Sequence, residues 1–79
     1  MNGFTFEIKK TYGVVREEKS GWKEELNLVS WNGNPPKLDI RSWSNDHIQM
    51  SKGLTFTVTE AETLYGLLTV AFVDTECPI

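Results

Sequence analysis

The chain has 79 residues, 39% of them hydrophobic, and a formal net charge of −3. A chain this short forms one small domain that buries a modest share of its surface on folding, so self-association would add to its stability. We expect no membrane span, because no apolar run approaches the roughly 18 residues that a span needs, and no secretory signal. An internal disulfide is excluded, because Cys77 is the only cysteine.

Two strands joined by a polar turn are predicted in the first part of the chain. Apolar residues alternate with polar ones over residues 4–15, which indicates a half-buried strand with an irregularity at Gly13. The polar run 17–21 is typical of a turn and ends in a glycine that tolerates a positive φ. A second strand is predicted over residues 22–31.

A strictly alternating third strand over residues 37–43 is the most informative feature of the chain. The turn signal at 32–36 joins it to the second strand as an antiparallel hairpin. Alternation then divides this hairpin into two faces. The first, the apolar face, carries Leu26, Leu28, Leu38 and Ile40. The second, the polar face, carries Lys23, Glu25, Asn27, Val29, Trp31, Lys37, Asp39, Arg41 and Trp43.

The polar face is a poor core and predicts contact with nucleic acid. Cationic side chains pair with a polyanionic backbone, and aromatic rings stack on unpaired bases. Taken for the chain as a whole, a net charge of −3 argues against nucleic-acid binding, because phosphate binders are usually basic. However, no basic residue follows Gly53, so the acidic excess lies in the last segment. If that segment is a helix behind the sheet, its charges are remote from the ligand and partly screened.

A short fourth strand and a helix complete the predicted fold. After a loop, residues 52–56 predict a strand with Leu54 and Phe56 directed inward. Overlapping capping-box patterns at Thr57 and Thr59 mark the start of the helix. Apolar residues then recur at helical spacing, at Ala61, Leu64, Leu67, Leu68, Ala71 and Phe72.

The apolar arc of this helix is wider than a four-stranded sheet should cover, because Tyr65 extends it. The excess predicts a partner for the helix, in line with the self-association expected of so short a chain. We expect one α+β domain over residues 1–74 with element order ββββα, followed by a loose tail over residues 75–79 that holds Cys77.

Several residues of the hairpin leave alternatives open. Trp31 could pack at a sheet edge, but the cations on its face favour a stacking role. Trp43 ends its strand and either stacks on a base or folds over the rim of the following loop. Trp22 lies by parity on the core side, although a curved strand could bring it to a ligand. Asp39 either forms a plain surface ion pair with Arg41 or orients Arg41, or a cation on the neighbouring strand, and we favour the orienting role. Direct contact of Asp39 with DNA is not expected, because phosphate repels a carboxylate.

Catalysis and metal binding find little support in the sequence. Asp46 and His47 are the only neighbours where such chemistry could be placed, and no second histidine, cysteine cluster or serine with its own base completes a site. One histidine and one distant cysteine do not make a tetrahedral metal site. We therefore expect that the protein is not an enzyme and that it binds no metal, no other cofactor and no small-molecule substrate.

Four short motifs resemble one family of nucleic-acid-binding domains. They are Gly-Trp-Lys-Glu-Glu-Leu-Asn at 21–27, Val-Ser-Trp-Asn at 29–32, Asp-Ile-Arg-Ser-Trp-Ser at 39–44 and Met-Ser-Lys-Gly-Leu-Thr at 50–55. In this order they are similar to the single-stranded-DNA-binding domain of the positive cofactor four transcriptional coactivators, most closely its bacterial YdbC-like branch. The similarity covers about residues 4–68. Its most specific part is Asp-Ile-Arg-x-Trp followed closely by Lys-Gly-hydrophobic-Thr.

The resemblance implies a strongly curved antiparallel sheet backed by one helix, two chains joined through their helices into a two-fold homodimer, and single-stranded DNA along the concave face. With the alternation, it places nucleic-acid contacts at Lys23, Asn27, Trp31, Asn32, Lys37, Arg41, Trp43 and Lys52. The tryptophans would stack on bases and the cations would hold phosphates. The helix residues expected at the dimer interface are Leu64, Tyr65, Leu68 and Phe72.

Three departures from the family limit what the resemblance implies. The basic, serine-rich regulatory tail of the eukaryotic coactivators is absent, so its regulation is not carried over. Ser51 stands where the bacterial branch usually has glycine, at the approach of the backbone to Lys52. The acidic helix predicts weaker or more salt-sensitive binding than a basic relative would show.

The sequence thus predicts a cytoplasmic, bacterial or phage-like homodimer that binds single-stranded DNA, or RNA, largely without regard to sequence. Such a protein would act in transcription regulation or another DNA transaction. The alternative is a protein-interaction module of the same fold, in which the aromatic rings of the polar face form a hot spot for a peptide or a partner domain.

Overall fold

The computed structural model describes residues 4–76 and contains a four-stranded antiparallel sheet followed by one helix, as predicted. The elements are β1 (Phe6–Glu17), β2 (Lys23–Trp31), β3 (Lys37–Trp43), β4 (Leu54–Phe56) and α1 (Val58–Glu76). The strands lie side by side in chain order. The helix ends at Glu76, two residues into the predicted tail, and the rest of that tail, with Cys77, lies outside the described residues.

A tight turn follows β2 in the predicted hairpin. Asn32 and Gly33 have φ values of 54° and 77°, and the Asn34 N–H donates to the Trp31 carbonyl at 2.9 Å, which is the geometry of a type I′ turn. Leu28 pairs with Leu38 across the hairpin, and the apolar face is assembled as predicted.

The helix starts at the first of the two predicted capping boxes. The Thr57 N–H donates to Glu60 Oε1 at 2.9 Å, and the Glu60 N–H donates to the Thr57 hydroxyl at 3.2 Å. This reciprocal pair satisfies two free backbone donors and fixes the direction in which α1 leaves β4. The helix then crosses the apolar face, where it contacts β3 and β4 but neither β1 nor β2. No helix within residues 4–76 is long and apolar enough to span a membrane.

The sheet is strongly curled, with the polar face on its concave side. Phe6 pairs with Trp31 at one end of β2, and Trp43 pairs with Lys23 at the other. Those ends are eight steps apart along an extended strand, or roughly 26 Å. Even so, the ring centroids of Phe6 and Trp43 lie 5.2 Å apart. Three register shifts along β1, one of them at the predicted irregularity of Gly13, provide the necessary bending.

This curl corrects the expectation that the polar face makes a poor core. Its central residues are the most deeply buried side chains of the described chain: Val29, Asn27 and Asp39 are 0% exposed and Trp43 is 1% exposed. The apolar face is only half-buried, and Leu54, predicted to point inward, shares the Ile40 register but is 64% exposed. Alternation identified the two faces correctly, whereas curvature decided which of them a single chain closes.

Candidate nucleic-acid interface

A buried ion pair lies at the centre of the polar face. Arg41 donates from Nε and a terminal nitrogen to the two carboxylate oxygens of Asp39, each at 2.7 Å. The Thr55 hydroxyl of β4 donates to the same carboxylate at 2.9 Å. Such a two-point pair fixes both the position and the plane of the guanidinium. The predicted role of Asp39 in orienting Arg41 is therefore confirmed.

The oriented guanidinium lies over the Trp31 ring. The central carbon of the Arg41 guanidinium is 4.4 Å from the ring centroid, within the range of a cation–π contact. Phe4 and Phe6 approach the same ring, with centroids at 5.7 and 5.9 Å. Trp31 is thus fixed by three neighbours and remains half-buried.

The backbone of the loop before β4 packs closely against Arg41. A Cβ atom at Gly53 would collide with Cβ of Arg41 and with the Ile40 carbonyl oxygen, so only glycine fits at this position. The neighbouring Ser51 takes part in the same packing, because its hydroxyl accepts a hydrogen bond from the Ser42 N–H at 3.1 Å. This packing holds Lys52 at the edge of the sheet next to Arg41, where it is exposed.

Three of the predicted phosphate contacts are lysines without an acidic partner. Lys37 and Lys52 are exposed and Lys23 is half-buried. Within residues 4–76, none of the three forms an ion pair, whereas Lys9 does so with Glu7. Cations without such a partner are available to an external anion.

Two predicted contacts are not accessible. Asn27 is fully buried, and its amide donates to Oε1 of Glu25 at 3.2 Å. Trp43 is 1% exposed because Phe6 covers it on one side and His47 packs at 5.7 Å. Of its two open roles, packing beneath the following loop is the one the structure shows. In the single chain both residues belong to the buried centre of the polar face.

The loop after β3 brings its histidine back to the sheet. The His47 Nε2 atom lies 3.0 Å from both carboxylate oxygens of the buried Glu25. At the same turn the pKa of Asp46 is lowered by hydrogen bonds from the Ser44 hydroxyl and the Ile48 N–H. Among residues 4–76, no three histidine, cysteine or acidic side chains are grouped so that they could hold a metal ion.

The remaining predicted residues lie in the hairpin turn, before β2 and on α1. Asn32 is exposed in the hairpin turn, where its Oδ1 accepts a hydrogen bond from the Thr5 N–H at 2.8 Å. Trp22 precedes β2 and is half-buried.

On the opposite face, an apolar groove of about 200 Å³ is lined in part by three of the four residues expected at a dimer interface, Leu64, Tyr65 and Leu68. The fourth, Phe72, is 52% exposed.

Sequence reasoning missed Phe4 as a member of this site. Its ring is 63% exposed and lies beside Trp31. It was assigned to the half-buried alternation of the first strand, but β1 begins only at Phe6. Phe4 lies two residues before Phe6, which pairs with Trp31. This spacing of two aromatic residues is the one signal that could have found Phe4.

Comparison with known proteins identifies the family of this chain. The family model of Transcriptional Coactivator p15 (PC4) matches residues 18–67, which include β2, β3, β4 and the first half of α1. An uncharacterized protein of Treponema pallidum (strain Nichols) is 41% identical over 71 residues, which cover 90% of this chain and 84% of that protein. The chain therefore belongs to the transcriptional coactivator p15 (PC4) family.

Proposed function

We propose that this protein binds single-stranded DNA with little sequence preference along the rim of its polar face. The rim consists of the side chains that stay at least partly exposed around the buried centre, namely Phe4, Lys23, Trp31, Lys37 and Lys52. The observation that carries the proposal is the arrangement of Lys23, Lys37 and Lys52, which have no acidic partner among the described residues, around the fixed stack of Arg41 on Trp31. The family supports it, because its domain is known for binding single-stranded DNA.

Each group on the rim has a distinct role in the proposal. The exposed Phe4 ring and the open part of Trp31 stack on bases, which is worth about 1 to 3 kcal/mol per base and tolerates any sequence. The three lysines hold phosphates. Arg41 is held by Asp39 and shapes the aromatic surface more than it contacts the strand.

A single strand fits this surface better than a duplex does. Stacking on protein rings requires bases that are not already stacked on each other, and a flexible strand can follow a curled rim. We expect the protein to serve transcription or another DNA transaction in which such strands are exposed. We expect matched RNA and DNA oligonucleotides to bind with similar affinity, because the proposed stacking and phosphate contacts do not involve a 2′-hydroxyl.

The proposed binding unit is a homodimer joined through the apolar face. That face is incomplete in one chain: Tyr65 is 72% exposed and Leu68 is 42% exposed beside the groove that they line. Covering these side chains with a second copy would bury apolar area at about 25 cal/mol per Å². It would also leave the rims of both polar faces accessible to DNA.

The proposal is tested by titrating tryptophan fluorescence with oligo-dT at low and at high salt. We expect quenching that saturates, with an affinity that falls as salt rises. In Lys52→Ala the dependence of log K on log salt should be shallower by about 0.7, the value for one phosphate contact on a single strand. Lys10→Ala is the matched control, because Lys10 pairs with Leu28 and so lies on the apolar side.

Two results would overturn the proposal. One is the absence of quenching at low salt. The other is quenching that does not respond to salt, which would favour the alternative of an aromatic surface for a peptide or partner domain.

A further inference from the structure

A cavity of about 480 Å³ opens beside Trp31, between the β2–β3 turn and the start of α1. Its volume lies within the roughly 300 to 1,000 Å³ typical of small-molecule sites. Residues of the polar face form one side of it, namely Trp31, Lys37 and Thr55, and the hairpin turn closes it with Pro35 and Pro36. The cavity is therefore continuous with the rim on which the DNA proposal rests.

The walls of this cavity favour a flat, mostly apolar group. An indole and two proline rings present rigid surfaces that lose little conformational entropy when a ligand binds. Thr57 adds a hydroxyl that accepts a hydrogen bond from the Glu60 N–H, so its own proton is free to be donated. A nucleobase is a ligand of this description, being planar and carrying acceptors at its edge.

The charges around the cavity favour an anion. Lys37 is exposed in its lining and has no acidic partner among the described residues, and no aspartate or glutamate contributes to the walls. Two carboxylates lie nearby: Asp39 is occupied by Arg41 and by the Thr55 hydroxyl, and Glu60 Oε1 accepts a hydrogen bond from the Thr57 N–H. A phosphate attached to a base in the cavity would thus meet the Lys37 ammonium, and no carboxylate lies in the walls themselves.

We propose that this hairpin cavity takes one unstacked nucleotide of a bound strand, with its base against Trp31 and the two prolines and its phosphate on Lys37. This inference rests on the proposed single-strand binding and adds to it a discrete subsite. Bases stacked elsewhere along the rim could exchange places as the strand slides, whereas the nucleotide in the cavity would fix the position of the strand on the protein.

The test uses dTMP and thymidine as probes, titrated separately into ¹⁵N-labelled full-length protein and followed by NMR. We expect dTMP to shift the Trp31 indole signal and the amides of Lys37, Thr55 and Thr57 in a saturable way. Lys37→Ala should weaken dTMP roughly tenfold, as expected for one charge-assisted contact, while leaving thymidine nearly unchanged. Equal effects on the two probes would overturn the assignment of the phosphate to Lys37.

A second pair of variants tests the cavity itself. Val58 lines the cavity at the first position of α1 and is 69% exposed, so Val58→Phe should fill it without removing the Thr57 cap. We expect Val58→Phe to abolish the dTMP shifts. Val70→Phe, at another exposed position of α1 that does not line the cavity, should keep them.

The outcomes separate this inference from the function on which it rests. If oligo-dT binds but dTMP produces no saturable shift at the cavity, the subsite is overturned and single-strand binding stands. If neither probe nor oligo-dT binds, both proposals are overturned. If a proline-rich peptide shifts the cavity residues and dTMP does not, the cavity belongs to a protein partner and the inference is again overturned.

Discussion

The two faces of this sheet are completed in different ways. A single chain closes the polar face, because the curl of the sheet brings Phe6 over Trp43 and pairs the central charges with one another. The apolar face remains half-open, because α1 contacts only β3 and β4 and leaves Leu54 64% exposed. Composition alone would have assigned the two faces the other way round. The curvature of the sheet and the number of strands that the helix covers decide which face is interior.

The ion pair within the closed polar face is not explained by stability. Burying Arg41 and Asp39 costs both groups their hydration, and their mutual attraction in such a site often does no more than offset that cost. What the pair provides is geometry, since it holds the guanidinium flat over Trp31. The apolar face, by contrast, has ordinary hydrophobic surface to gain from a partner.

The largest effect is expected at the centre of the polar face. Asp39→Ala leaves the Arg41 charge, 14% exposed, without its partner, so the free energy of unfolding should fall by about 3 to 5 kcal/mol. Urea denaturation measures this loss. Glu7→Ala is the control, because the Glu7 pair with Lys9 is exposed and should contribute at most about 1 kcal/mol. If the two variants lose the same small amount, the polar face is not closed as described.

The second prediction concerns the open apolar face. Leu68→Asp places a charge in the groove that we propose a second chain covers, and it should weaken association by roughly 3 kcal/mol, or about a hundredfold. Sedimentation equilibrium should show a monomer. Val70→Asp serves as the control, because Val70 is 61% exposed and does not line the groove. An unchanged mass for Leu68→Asp would refute a dimer through this face.

A smaller effect is expected where β4 joins the polar face. Gly53→Ala would force apart the loop and Arg41, at a cost of about 1 to 3 kcal/mol in the free energy of unfolding. The same substitution at Gly66 should have the opposite sign and stabilise by about 1 kcal/mol, because Gly66 lies within α1 with no atom near its Cβ position. Thermal unfolding of the two variants compares them directly. A neutral Gly53→Ala would show that the close approach to Arg41 is dispensable.

Local signals in the sequence predicted the elements well. The capping box at Thr57 and the turn at Asn32 and Gly33 each depend on a few neighbouring residues, and both occur where predicted. Strict alternation in β3 likewise predicted that Asp39 and Arg41 share a face, and therefore that one could orient the other.

The sequence could not predict what depends on the bending of the whole sheet. The burial of Trp43 requires Phe6, which is far away in the chain, to cross the concave side. Only one of the three register shifts in β1 carries a glycine signal, so the strong curvature that the family resemblance implies could not be derived from the residue pattern itself. The pairing of His47 with Glu25 depends on the same curl and on a loop path that alternation does not describe. Accessibility at the candidate site, unlike face membership, is thus a tertiary property.

The smallest expected effect lies in the turn that carries His47 to the edge of the polar face. The pKa of Asp46 is held below its ordinary value of 3.8, first by the Ser44 hydroxyl at 2.6 Å and then by the Ile48 N–H at 3.0 Å. A carboxyl group whose pKa is lowered by folding stabilises the fold above its unfolded pKa, and this contribution is lost as pH falls through the folded value. The turn should therefore loosen only in acid.

Removing the Ser44 hydroxyl tests this account of the turn. In Ser44→Ala the pKa of Asp46 should rise toward its ordinary value, which ¹³C NMR of the carboxyl group measures directly. Ser51→Ala is the matched control, because the Ser51 hydroxyl donates to the Lys52 carbonyl at 2.8 Å and does not bond to Asp46. An unchanged titration midpoint in Ser44→Ala would mean that another contact orders the turn. His47 would then be held at the polar face by Glu25 and Trp43 rather than by the loop that carries it.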